Sequence, residues 1–295
     1  MEAITWAAWV QQILAGLGRT TILFIVSSGL SLILGALRIP NLAHGSLYMI
    51  GAFFAYSVSS LFESATAGFW ASLILAPSAV ALMGFAMERG VFRRLYDKEH
   101  LMLLLFTFAL TLILGDMVKL VYGPSYRSLA PPPFLQGQVP VFGTPFPRHN
   151  LFLLLAGPLV ALGLWFLANR TKIGKIARAA AVDREMVGAT GVYVDRVFSG
   201  VFVIGCFLAG LGGALVAPMQ NITQGMDHSI IMEAFLIVIV GGLGNIWGAL
   251  LGALIFGLTD AVGILIWPRF AIVFPYVAVI VILLARPKGL LKSVW

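Results

Sequence analysis

RIPNLAHGSLYMIGA, residues 38–52, sets a proline, an asparagine and a histidine directly after the apolar run ILFIVSSGLSLILGAL, residues 22–37. In water such residues are unremarked. In hydrocarbon every backbone polar group must be satisfied within the chain, and irregular backbone survives only where it is buried in protein or lines a wet cavity. Pro40 has no N–H to donate, and Asn41 is a favoured N-cap residue. The stretch therefore predicts a helix that breaks inside a membrane domain and restarts near Asn41, with 37–45 as a re-entrant bend.

Composition supports the membrane setting. The 295 residues are 60% hydrophobic and 11% charged, with a mean hydropathy of +0.98, more apolar matter than a soluble core of this length can bury. This predicts an all-α, polytopic helical bundle forming one membrane domain over 1–295. The 32 glycines and 14 prolines are scattered through apolar runs, as in helices that pack closely or break within the bilayer. Cys206 has no partner cysteine, which excludes a disulfide framework and a cysteine metal site and leaves it as a small core filler. The net charge of +7 lies in short loops between spans, so it reports membrane topology, and no nucleic-acid partner is expected. The start, MEAITWAAWVQQILAG, lacks the basic region of a cleavable signal, so the first span is expected to be retained.

A crossing helix takes about 20 mostly apolar residues. Such segments fall at 13–36, 41–61, 68–88, 101–121, 151–169, 197–217, 226–241, 246–266 and 270–286, eight or nine membrane segments in all, with broken or short helices among them. Arg89, Arg93, Arg94 and Lys98 lie in one loop, Arg170, Lys172, Lys175, Arg178, Arg184 and Arg196 in a second, and Arg286, Lys288 and Lys292 in the tail. All fall on one side, which the positive-inside rule makes the cytoplasm. The N-terminus, with no basic residue in its first twelve, is then outside and the C-terminus cytoplasmic. The loop 122–150 also lies outside; its prolines and glycines predict extended segments and turns, either a docking surface or a passive connector.

Residues 170–196 form the long cytoplasmic loop. Its Ala, Arg, Glu and Met content predicts a short polar helix with stop signals at Gly188 and Gly191. Within it, GKIARAAAVDREMVGATG, 174–191, resembles the cytoplasmic coupling motif of permease subunits from the branched-chain amino-acid class of bacterial ABC importers. GALRIPNLAHGSLYMIGA, 35–52, resembles a segment that in this family reads close to N-F-A-H-G-E, with Leu42 and Ser46 where the family commonly has Phe and Glu. VGGLGNIWGALLGA, 240–253, is similar to the family's late glycine-rich stretch, and ARPKGLL, 285–291, to its ending. The resemblance spans nearly the whole chain in the family's order.

The resemblance implies a complex in the bacterial inner membrane of two related permeases, two cytoplasmic ATPase subunits and an external or periplasmic substrate-binding protein. This chain would be one permease, in contact with membrane lipid, and Gly174, Arg178, Ala179, Ala180, Asp183, Arg184, Glu185 and Gly191 would engage an ATPase groove. ATP and magnesium would be used by the partners, with no cofactor bound by this chain. Its sequence is compatible with that division, since no G-x-x-x-x-G-K-[ST] phosphate loop occurs. The implied cargo is a branched-chain or other neutral amino acid, with urea, amides and aromatic acids as alternatives within the same class.

Ionisable groups inside spans are expensive and call for a reason. Asp116 and Lys119, three apart, are expected to pair along one helix; Glu88 lies at a boundary with access to water; Glu233 and Asp260 lie deeper and must face protein or a wet path, Glu233 dividing evenly between packing and pathway. Asn41, His44 and Gly45 are expected to line or gate the route, faced by a second break at Gly241, Gly242, Gly244 and Asn245. His44 as a packing residue is the competing reading, and no second histidine or cysteine stands at metal spacing from it. Gly45, Gly51, Gly248 and Gly252 are expected at close helix contacts. Two other functions compete: an ion-coupled secondary transporter using Asp116, Glu233 or Asp260, and an intramembrane enzyme with His44 as base, which lacks a nucleophile in a recognisable motif.

Overall fold

A computed structural model describes residues 5–95 and 98–291. The chain begins with α1, Trp6–Leu37, whose 32 residues rise about 48 Å at 1.5 Å each. It starts ahead of the expected span because Thr5 caps it, accepting from the Ala8 N–H at 3.3 Å, and the intervening residues are good helix formers. After α2, Ala43–Ser60, comes α3, Ala65–Met87, which runs through a π turn, Glu88–Phe92, into the short α4, Arg93–Leu95. Then follow α5, His100–Tyr122; the strands β1, Gln138–Val141, and β2, Thr144–Pro147; α6, Arg148–Arg170; α7, Lys172–Val182; and α8, Arg184–Ala189. The chain closes with α9, Val194–Val216; α10, Met226–Gly241; α11, Ile246–Ile266; and α12, Val273–Ala285.

Each expected membrane segment falls on a helix. Among the described residues, six helices are long and apolar enough to cross a membrane: α1, α3 with its extension, α5, α6, α9 and α11. Helix α2 holds His44 and several serines, and α10 and α12 have 16 and 13 residues, fewer than the about 20 of a typical straight crossing helix. Lys292 of the basic tail lies outside the described residues.

Burial ranks the helices. The most apolar stretch of α1 is 89% buried, against 28% for α5 and for α6, so α1 is the axis of the bundle and α5 and α6 form its perimeter. Leu105, Phe108 and Ile113 on α5, and Leu155, Leu159 and Phe166 on α6, are exposed, as lipid-facing side chains are. The core is held by close backbone approach. Gly51 meets the backbone of Gly210, Gly248 that of Gly241, and Gly252 the Ile237 carbonyl, as expected where small residues let helices touch without a hydrophobic drive between them. Cys206 is fully buried against Gly84.

Three local expectations are corrected. Asp116 and Lys119 are exposed on α5 and make no ion pair with each other; a solvated pair three residues apart on one helix is worth only about 0.2–0.5 kcal/mol. Glu88 is fully buried and accepts from Ser199 Oγ at 2.7 Å, since the π turn rotates it against α9. The loop 170–196 contains two helices instead of one. Asp183 ends α7 and caps α8, accepting from the Met186 N–H at 2.9 Å, so the aspartate divides the run before Gly188 is reached.

In the loop 122–150 the expected extended segments appear as an antiparallel hairpin with Val141 paired to Thr144. Its turn is Phe142-Gly143, both at positive φ, 50° and 80°, the conformation two-residue hairpins require. Arg127 and Ile222 form an isolated antiparallel bridge, which ties this loop to the link between α9 and α10.

Candidate functional site

The opening stretch is broken as its sequence predicts. Arg38 ends α1 at φ 56°, residues 39–42 carry no helix, and α2 begins at Ala43. The freed backbone is answered from α5 and locally: Thr107 Oγ1 donates to the Pro40 carbonyl at 3.1 Å, and the His44 N–H to the Asn41 carbonyl at 3.2 Å. The expected cap is corrected. Asn41 makes no side-chain cap to α2; it is fully buried with both side-chain polar atoms unpartnered. His44 is also fully buried, its Nε2 at 3.0 Å from the Val26 carbonyl and its ring against Gly29. Gly45 lies against the Asp227 backbone and Ile231 at the start of α10. Ser46 donates to Asp227 Oδ2 at 3.0 Å. The carboxylate that Ser46 removes relative to the family pattern is thus returned from another helix.

The second break also forms. Helix α10 ends at Gly241, Gly242 and Gly244 take φ 103° and 76°, and Asn245 caps α11, accepting from the Gly248 N–H at 3.0 Å. Its contacts are with the tail: the Leu290 N–H donates to the Val240 carbonyl at 2.7 Å and the Leu291 N–H to that of Gly241 at 3.2 Å. Pro40 contacts α5, His44 contacts α1 and Gly45 the start of α10, so the two breaks are packed against different parts of the chain.

Sequence reasoning passed over the residue that organises the polar interior. Arg19, on α1, donates through Nη2 to Glu233 Oε1 at 2.7 Å and through Nη1 to Asp260 Oδ2, joining α1, α10 and α11. An arginine seven residues into the span 13–36 was itself the signal. Its side chain is 41% exposed, against 15% for Glu233 and 10% for Asp260. The exposed part faces a cavity of about 390 Å³ lined by Arg19, Glu233, Tyr48, Asn150, Gln220 and Ser229, with aliphatic side chains completing the wall. Asp260 does not line it. The cavity lies toward the hairpin end of the bundle, where Met219 and Gln220 of the α9–α10 link are exposed.

At the opposite end, α7 and α8 form a platform. Thr171 caps α7, accepting from the Gly174 N–H at 3.2 Å, and Gly174 packs on the backbone of Leu167 and Ala168. Arg178 donates to Asn169 Oδ1 at 2.8 Å, Arg184 to Asp195 Oδ1 at 2.8 Å, and Arg38 to the Ala181 carbonyl at 3.2 Å. Ala180 is buried with Leu37, Val194 and Phe198, whereas Ala179, Asp183, Glu185 and Gly191 are exposed. Ile173, Val182 and Met186 are apolar residues exposed on this polar platform, at 48%, 76% and 66%. Of the expected coupling residues, then, Gly174, Arg178, Ala180 and Arg184 fasten the platform and the others present its free side.

A bundle of apolar helices interrupted by buried breaks, with a charged cavity toward one end and a helical platform at the other, defines a membrane transport protein. The sequence model of the family described as the branched-chain amino acid transport system permease component matches residues 12–285, and the chain belongs to that family. It is 26% identical over 293 residues to the high-affinity branched-chain amino acid transport system permease protein BraD of Pseudomonas aeruginosa, covering 96% of this chain and 95% of the relative. It is 25% identical over 299 residues to the corresponding protein LivH of Escherichia coli K12, with the same coverage. A more distant relative, the guanosine ABC transporter permease protein NupQ of Bacillus subtilis, is 27% identical over 241 residues, 77% of this chain and 74% of the relative. No solved structure matches.

Proposed function

We propose that this chain is the membrane-spanning permease subunit of an ATP-driven importer that moves branched-chain or other neutral amino acids across the bacterial inner membrane. It works with a second homologous permease, two cytoplasmic ATPase subunits that use ATP and magnesium, and an external substrate-binding protein. The basic, platform-bearing end faces the cytoplasm and the hairpin end faces outside, with the N-terminus outside and the C-terminus inside.

One observation carries the reading. The platform that presents Val182 and Met186 is bonded through Ala181 to Arg38, the residue at which α1 ends and the broken stretch begins. A push on α7 from a docked ATPase is delivered to backbone outside regular structure, the kind of place where a rocking transporter bends. The break residues Asn41, His44, Gly45, Gly241, Gly242, Gly244 and Asn245 are then the closed part of the route, below a cavity walled by Glu233.

An ion-coupled carrier has no ATPase to engage, so a helical platform bonded to the first break favours the ATP-driven reading. The aliphatic part of the cavity wall favours amino acids over urea or amides. Co-expression with the ATPase and binding-protein subunits should give a complex that takes up labelled leucine only with ATP. Asp183→Arg should leave membrane insertion intact and lower substrate-stimulated ATP turnover severalfold. Uptake driven by a proton or sodium gradient without ATP would sink the proposal, as would full coupling in Asp183→Arg.

A further inference from the structure

The cavity wall combines one cation, one anion and an aliphatic surface. Arg19 and Glu233 stand on it 2.7 Å apart, and Ile22, Leu23, Val216 and Ile230 complete it. Its volume of about 390 Å³ falls within the range of small-molecule sites. Resting on the import reading above, we propose that this cavity is a cargo site within the permease itself: Arg19 takes the carboxylate of an α-amino acid, Glu233 its ammonium, and the aliphatic wall its side chain.

The charge arrangement distinguishes a binding site from a helix clamp. A clamp between helices is best fully enclosed, yet Arg19 stays 41% exposed and faces open volume. Guanidinium carries five N–H donors, of which two are engaged by the carboxylates, so donors remain for a third carboxylate. Asp260, off the cavity wall, holds Arg19 from its other side. With Asp260 counted the cluster has one more negative than positive charge, so Glu233 keeps an attraction for an ammonium that a simple one-to-one pair would lose. Both charges are partly desolvated; a cargo without its ammonium adds a negative charge to a cluster that is already net negative, and one without its carboxylate leaves the spare guanidinium donors unused. The site thereby selects zwitterions with an aliphatic side chain and rejects urea, simple amides, carboxylic acids and amines. This selection would act after the binding protein's and independently of it.

The test is equilibrium binding of labelled leucine to the purified permease–ATPase complex in lipid nanodiscs, without the binding protein. Wild-type complex should bind leucine saturably, and valine should displace it while 4-methylpentanoate, lacking the ammonium, and isoamylamine, lacking the carboxylate, should not. Glu233→Gln and Arg19→Lys should each weaken binding about tenfold or more, the scale of one charge-assisted hydrogen bond. Ile230→Trp fills the cavity without altering its charges and should abolish binding; it serves where a charge variant does not assemble. Absence of saturable leucine binding to the wild type at millimolar concentration overturns the cargo site, and so does near-wild-type binding in the charge variants or in Ile230→Trp. The import reading fails separately: it falls if the wild-type complex with its binding protein takes up no neutral amino acid on ATP, and stands if uptake persists while the cavity variants behave as wild type.

Discussion

The two breaks in this bundle use the same residue at the same kind of place and reach opposite ends. Asn245 and Asn41 each stand just ahead of a helix with a small residue following closely. Asn245 turns its side chain to the Gly248 N–H at 3.0 Å and is a working N-cap. Asn41 does not cap α2, and its amide is buried with no partner at either atom. The first break is held from outside itself, by Thr107 on the Pro40 carbonyl, Val26 on His44 and Asp227 on Ser46. Local preference is enough where the chain turns beneath the tail that pairs with Val240 and Gly241. Inside the bundle, tertiary contacts from α1, α5 and α10 set the geometry, and an unsatisfied amide costing about 1–3 kcal/mol is tolerated.

Thermal unfolding of the purified protein in detergent gives the comparison numbers, and the expected effects descend in size. His44→Ala should cost about 3 kcal/mol, since it empties a fully enclosed site and removes the bond to Val26; it should also depress leucine uptake, and unchanged stability would mean the first break does not depend on this anchor. Gly45→Ala and Gly248→Ala should each cost about 2 kcal/mol, because an added methyl meets the Asp227 backbone in one case and the Gly241 backbone in the other. Equal losses would show that both breaks depend on close approach, however differently they are capped. Asn245→Ala should cost about 1 kcal/mol, the worth of a cap. Asn41→Leu should cost nothing or stabilise by under about 1 kcal/mol, because an apolar side chain of similar size removes the unpaired amide. A loss at Asn41→Leu as large as at Asn245→Ala would erase the distinction between the two sites.

Much of the architecture was legible because hydrocarbon is a strict solvent. Spans, loops and the break after Leu37 follow from the rule that backbone groups must be satisfied and charges kept out, and each expected segment indeed falls on a helix. Ends were less legible: Thr5 starts α1 well before its apolar run, and Asp183 splits the platform where propensity alone expected one helix. Among site residues, Glu233 was singled out and its partner was not. Arg19 was in plain view inside an apolar run, but no spacing rule links it to residues more than 200 positions away. Asp227 was hidden in the same manner, by lying beside Ser46 only after folding.

The sequence by itself determined that this is a mainly helical membrane protein of the branched-chain permease family, where its helices break, and which loop carries the polar helices of the platform. These are properties of solvent, local backbone preference and linear pattern. The tertiary structure alone decided that Arg19 binds Glu233 and Asp260, that His44 is enclosed, that Asn245 caps and Asn41 does not, and that a cavity opens beside Tyr48. Each of these depends on which helices become neighbours, and in a bundle packed through glycine contacts a neighbour can come from any part of the chain.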